Sequence, residues 1–151
     1  MNFRQTSLFA AFALTAGVVG AGAAPSQPAK PLSEILRGLD KSYVTVSEVS
    51  FEAGYWEIEA EHNQMPVEIR VEPVTAAVLS ERADSPHDPL PADVVPLAEV
   101  VKQLEQAGNG PIQDIDLEGA VWDVETLRNG LPRELTVDVR TGKVLSDRAD
   151  D

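Results

Sequence analysis

The chain reads as an α+β protein made of two repeated units, each one helix followed by a three-stranded antiparallel sheet. Three observations lead there. Residues 56–84 and 122–150 align without gaps at a constant shift of 66 residues. Trp56, Glu59, Asn63, Pro66, Glu68, Val71, Thr75, Val78, Leu79, Ser80, Arg82, Ala83 and Asp84 each meet the same residue type in the second copy, from Trp122 to Asp150. Agreement at one register over such a length marks duplication of a structural unit. Ahead of each copy stands a Pro-led run with apolar residues at i, i+3, i+4 and i+7, the spacing of one helix face. Within each copy apolar and polar residues alternate with period two, as in a half-buried strand.

Size and composition say how the units must live together. With 43% hydrophobic and 25% charged residues the chain can fold, but a unit of roughly 60 residues alone buries marginally little surface. Two units packed against each other are expected, rather than two independent beads. The net charge of −13 and a pI near 4.4 exclude nucleic acid and an anionic membrane as partners, because phosphates would repel the chain at long range. Cysteine is absent, which removes disulfides, thiolate metal sites, a cysteine nucleophile and a lipid-anchored N-terminal cysteine together.

In chain order, residues 1–23 read as a signal peptide. Arg4 supplies a short positive start, residues 8–19 are an uncharged apolar run, and Ala21-Gly22-Ala23 offers a small-x-small cleavage site. The run is too short for a stable membrane anchor. The expected product is a periplasmic or secreted protein, with no membrane contact after signal removal. Residues 24–30 follow as a Pro-containing linker.

Unit one spans residues 31–84. Leu32, Ile35, Leu36 and Leu39 share one helix face, and Pro31 suits the first helical position, where its missing N–H costs nothing. Val49 and Phe51 mark a first strand. In the second, Trp56, Ile58 and Ala60 alternate with Glu57, Glu59 and Glu61. Asn63-Gln64 forms the turn into a third strand carrying Val67, Ile69 and Val71. Residues 85–95, with Pro86, Pro89 and Pro91, read as a semi-rigid linker.

Unit two, residues 96–151, repeats the order. Pro96, Leu97, Val100, Val101 and Leu104 make the helix, which Gly108 is placed to end in a left-handed conformation. Ile115 and Leu117 mark the first strand. Trp122 and Val124 alternate with Asp123 and Glu125 in the second, and Asn129-Gly130 is the φ > 0 pair a tight hairpin prefers. The third strand carries Leu135, Val137 and Val139 and ends at Thr141-Gly142-Lys143, where Gly142 accepts a positive φ. Unit one has Ala76 in that place, and Pro73 falling within its strand, so its turn must differ or carry strain.

Tyr55-Trp56-Glu57-Ile58-Glu59 and Val121-Trp122-Asp123-Val124-Glu125, each followed by a strand that in unit two runs from Glu134 through Thr141-Gly142-Lys143 to Val144-Leu145, resemble the PepSY domain. Unit one departs by Thr75-Ala76 in place of Thr-Gly. PepSY domains occur in propeptides of secreted metallopeptidases and in exported bacterial proteins. The resemblance therefore implies an exported protein that regulates or inhibits a peptidase, and it brings no catalytic residues.

The chain offers no other chemistry to match. His62 and His87 are its two imidazoles, and neither has a nucleophile at motif spacing. No catalytic residue, cofactor or metal site is expected. Asp84, His87, Asp88 and Asp93 read as a solvated acidic loop, since a flexible Pro-rich segment does not hold ligands to the geometry a metal needs. Trp56 and Trp122 read as core. The expected partner surface is the acidic sheet face, Glu57, Glu59, Glu61, Asp123 and Glu125, or an open strand edge that pairs with a peptide. The competing reading is a small-ligand or cation-binding periplasmic protein using the cleft between units.

Overall fold

The computed structural model describes residues 28–150; the signal-peptide stretch and the start of the following linker lie outside the described residues. Helix α1 (Leu32–Leu39) is followed by β1 (Val44–Glu52), β2 (Tyr55–His62), β3 (Met65–Val71) and β4 (Val78–Ala83). Helix α2 (Leu97–Gln106) is followed by β5 (Ile112–Glu118), β6 (Val121–Arg128), β7 (Leu131–Asp138) and β8 (Val144–Ala149).

These strands correct the expected architecture. There are not two three-stranded sheets but one eight-stranded antiparallel sheet, in the order β4-β3-β2-β1-β5-β6-β7-β8. Two physical reasons account for the difference. The fourth strand after each helix, β4 or β8, has all six residues exposed, so it lacks the alternation that reveals a strand in sequence. And β1 and β5 would each leave a row of unpaired backbone groups at an edge, which they satisfy on each other through Glu48–Asp116, Val49–Ile115 and Ser50–Asp114.

The helices form where the apolar spacing requires. Leu32, Ile35, Leu36 and Leu39 of α1 are buried, as are Leu97, Val100, Val101 and Leu104 of α2. Pro31 and Pro96 stand one position earlier than expected, as N-caps with extended ψ; Pro31 O accepts from the N–H groups of Glu34 and Ile35. The two helices are joined by polar links as well. Ser33 donates from both N–H and Oγ to the Glu105 carboxylate, at 3.3 and 2.5 Å, and Arg37 pairs with Glu99 at 3.2 Å.

Among the described residues, one core serves both halves. Val49, Trp56, Ile58, Ala60, Val67, Ile69 and Val71 from β1–β3 join Ile115, Trp122, Val124, Leu135 and Val137 from β5–β7 beneath the helix faces. Trp56 and Trp122 are only 7% and 1% exposed, in keeping with the core positions expected of them. Within the stretch of residues 85–95, Leu90, Val94 and Val95 pack against this core, and Val95 N–H donates to Val139 O at 2.9 Å.

The turns follow the sequence closely. Asn63 and Gln64, like Asn129 and Gly130, take the two positive φ values of a tight hairpin. Strand β3 ends at Val71, so Pro73 lies in the turn beyond it and not within the strand. That turn has the same hydrogen bonds as the one at Gly142: Ala76 N–H donates to Glu72 O at 2.9 Å, and Gly142 N–H to Asp138 O at 2.8 Å. Ala76 achieves this with φ +62 against +69 for Gly142, so unit one carries strain in place of a different turn.

Candidate functional site

The sheet face opposite the core is built by the polar half of each alternation, and the strand registers turn it into rows of carboxylates. Across β3-β2-β1-β5-β6, Glu68 pairs with Glu59, Glu59 with Glu48, Glu48 with Asp116, and Asp116 with Asp123. Five carboxylates thus stand side by side on neighbouring strands, whose backbones lie about 4.8 Å apart. A second row runs Arg70, Glu57, Ser50, Asp114, Glu125, Glu134 and Arg148. The rows exist only because β1 and β5 are neighbours, so the joining of the two halves creates them.

Like charges at this spacing, partly withdrawn from water, hold protons more tightly. Burial, then the charges of Glu59 and Asp116, pushes Glu48 up to about 7. Burial, then Asp84 and Glu68, does the same to Glu59, and burial, then Glu125 and Glu48, to Asp114. Asp116 and Glu125 are raised as well, first by burial. Arginines stand at the flanks of the rows: Arg70 pairs with Glu57 at 2.6 Å, Arg82 with Glu68 at 2.5 Å, and Arg148 with Glu134.

The five residues expected on this face are distributed unevenly. Glu57, Glu59 and Glu61 project from β2, and Asp123 and Glu125 from β6, with β1 and β5 between them. Glu57 is matched by Arg70, Glu61 accepts from Thr45 Oγ1 at 2.9 Å, and Asp123 accepts from Thr136 Oγ1 at 3.2 Å. Glu48 and Asp116 in the first row and Asp114 in the second stand at the centre of the face, and none of the three was among the residues expected to bind a partner. Their signal was present as the polar positions of the first strand in each half, but their weight depends on the pairing of β1 with β5.

Beside the first row, the segment after β4 folds back over the sheet. His87 Nδ1 lies 3.1 Å from Glu59 Oε2, and its Nε2 lies 3.7 Å from Asp84 Oδ2. A cavity of about 180 Å³ is lined by Ser47, Glu59, His87, Asp88, Asp116 and Leu117. Of the acidic loop, the structure brings Asp84, His87 and Asp88 to this corner. Within that loop His87 is docked, its side chain only 12% exposed, whereas Asp88 and Asp93 are exposed, as a solvated loop has them. The other histidine, His62, stands apart from it, 3.0 Å from Glu81.

The family model described as "Peptidase propeptide and YPEB domain" (PepSY) matches residues 5–82, just over half of the chain. The chain belongs to the PepSY family. No curated protein matches it. Among solved structures, this PepSY chain is similar to a protein from Clostridium difficile 630 described as a candidate lipoprotein, at 14% identity and a TM-score of 0.47, covering 83% of this chain and 97% of that one. It is also similar to a candidate periplasmic protein from Bacteroides eggerthii DSM 20697, at 15% identity and a TM-score of 0.29, covering 85% of this chain and 90% of that one. Among the described residues, no helix of the PepSY chain is long and apolar enough to cross a membrane.

Proposed function

We propose that this PepSY protein is exported and acts without catalysis, by binding a peptidase in the envelope or outside the cell and regulating it. The observation that carries this reading is the family match, since a propeptide domain works by holding a peptidase and not by turning over a substrate. The carboxylate rows supply the surface chemistry. A partner presenting Lys and Arg along one face would relieve the mutual repulsion of Glu48, Glu59, Asp114 and Asp116, and would be steered into contact by the net charge of −13. Glu61, Asp123 and Glu125 extend that surface to either side of the central strands. In this reading the polar sheet face, rather than a strand edge, makes the contact.

The test is association with exported peptidases of the source cell, each assayed singly, using the chain recovered from an extracytoplasmic extract with residues 1–23 removed. Peptidase activity should fall as the chain is added, and binding should weaken as salt rises, because screening shortens the field. Asp123→Asn with Glu125→Gln should slow association without lowering the melting temperature, since removing the Glu125 charge relieves Asp114. Full peptidase activity at saturating chain, or binding indifferent to both salt and these substitutions, would refute the proposal.

A further inference from the structure

The corner formed by Glu59, Asp84 and His87 has a chemistry that the acidic rows lack, and it stands independently of any peptidase. The three residues come from β2, from the first position after β4, and from the loop beyond it. One potential ligand atom from each lies within 4.8 Å of the others. All three side chains are more than two-thirds buried. In this setting Asp84 Oδ2 and His87 Nε2 face each other at 3.7 Å, beyond hydrogen-bond reach, and neither has a hydrogen-bond partner among the described residues. A third orphan belongs to the same place: Ser47, 7% exposed, lines the adjoining cavity with Glu59 and His87, and its Oγ is also without a partner. Buried polar atoms are rarely left unpaired, because each loses its contact with water without return. Three at one corner, beside a cavity with Asp88 and Asp116 on its walls, mark a place shaped for a polar guest.

We infer that Glu59, Asp84 and His87 bind a divalent cation of the borderline class typified by Zn²⁺, with Ser47 and the cavity beside them accommodating water that completes its coordination. The donor set selects the class. One imidazole nitrogen with two carboxylate oxygens suits Zn²⁺ and its first-row neighbours, whereas Ca²⁺ and Mg²⁺ prefer oxygen throughout. The electrostatics agree, because a double positive charge beside Glu59 compensates the field of Glu48, Glu68 and Asp116. The fold supplies the positioning: Glu59 is fixed by ladders on both sides, Asp84 N–H donates to Pro66 O at 3.0 Å, and Pro86 restricts the backbone just before His87. Bound there, the cation would tie the loop after β4 to the middle of the sheet.

The experiment uses the full chain without a polyhistidine tag, stripped with a chelator and titrated with zinc sulfate. Calorimetry should show one saturable site and the melting temperature should rise, as it does for any ligand bound only by the folded state. His87→Ala and Asp84→Asn should each weaken zinc binding by at least about tenfold, whereas His62→Ala should leave it unchanged. An equal rise in melting temperature with magnesium sulfate would mean general charge screening, and would overturn the inference. So would zinc binding that survives His87→Ala or is lost with His62→Ala. Should the His87 variant fold poorly, the ring resonances of His87 in the unaltered chain decide: they shift on stoichiometric zinc if the inference holds, and stay in place if it does not.

Discussion

At the scale of single residues, the turn after β3 isolates the effect of one methyl group on the backbone. Ala76 and Gly142 occupy equivalent turns with matching hydrogen bonds and nearly the same positive φ. An L-residue in the left-handed region is disfavoured by about 1–2 kcal/mol, part of which glycine returns as extra chain entropy in the unfolded state. Ala76→Gly should therefore stabilise the protein, by about 0.5–1 kcal/mol; denaturant unfolding reads this directly, and a loss of stability would show that the Ala76 methyl contributes more by packing than it costs in strain. The turns also share a carboxylate. Glu72 accepts from the Thr75 side chain and from the N–H groups of Val74 and Thr75, as Asp138 accepts from Thr141 and Arg140, and in both cases the hydrogen bonds hold the carboxyl below its usual range.

At the scale of elements, what was legible in the sequence was what depends on burial with a regular period. The two helices, the strands around Ile58 and Val124, and the Asn-centred turns all announce themselves that way. Trp122 on β6 is the test of that logic: with the ring 1% exposed, Trp122→Ala should cost about 3–5 kcal/mol in unfolding free energy. A change within about 0.5 kcal/mol would mean that the ring does not pack. The outer strands β4 and β8 were not legible, because Val78, Leu79, Val144 and Leu145 are exposed and leave no pattern to read. The corner at His87 was hidden for another reason. Asp84 and His87 are close in sequence, but Glu59 reaches them only through the ladder of β2 on β3 and the return of the loop across the sheet. Spacing alone made that loop look flexible, and tertiary packing fixed it.

At the scale of the whole molecule, the central carboxylates should govern the response to pH. Glu48, Glu59 and Asp114 titrate near 7 in the folded protein, against about 4 in an unfolded chain. Between those values the folded state holds more protons, so stability falls as pH rises. Below them the sign reverses, because Glu72, Glu81, Asp138 and Asp147 are held low by hydrogen bonds and lose that stabilisation when protonated. The melting temperature, measured with a chelator present, should therefore peak at about pH 4 and decline towards about pH 7; a flat or rising profile over that interval would contradict the charge arrangement. A last consequence concerns the outer strands. A sheet that ends in two unpaired edges is ordinarily a template on which identical chains stack into cross-β fibres. Here each edge sets opposite charges next to each other, Glu81 with Arg82 and Asp147 with Arg148, and engages them inward with His62, Glu68, Arg133 and Glu134. An incoming copy would bring its own charges against those side chains and lie along a chain of like net charge, so charge opposes polymerisation at the two places where the architecture would otherwise invite it.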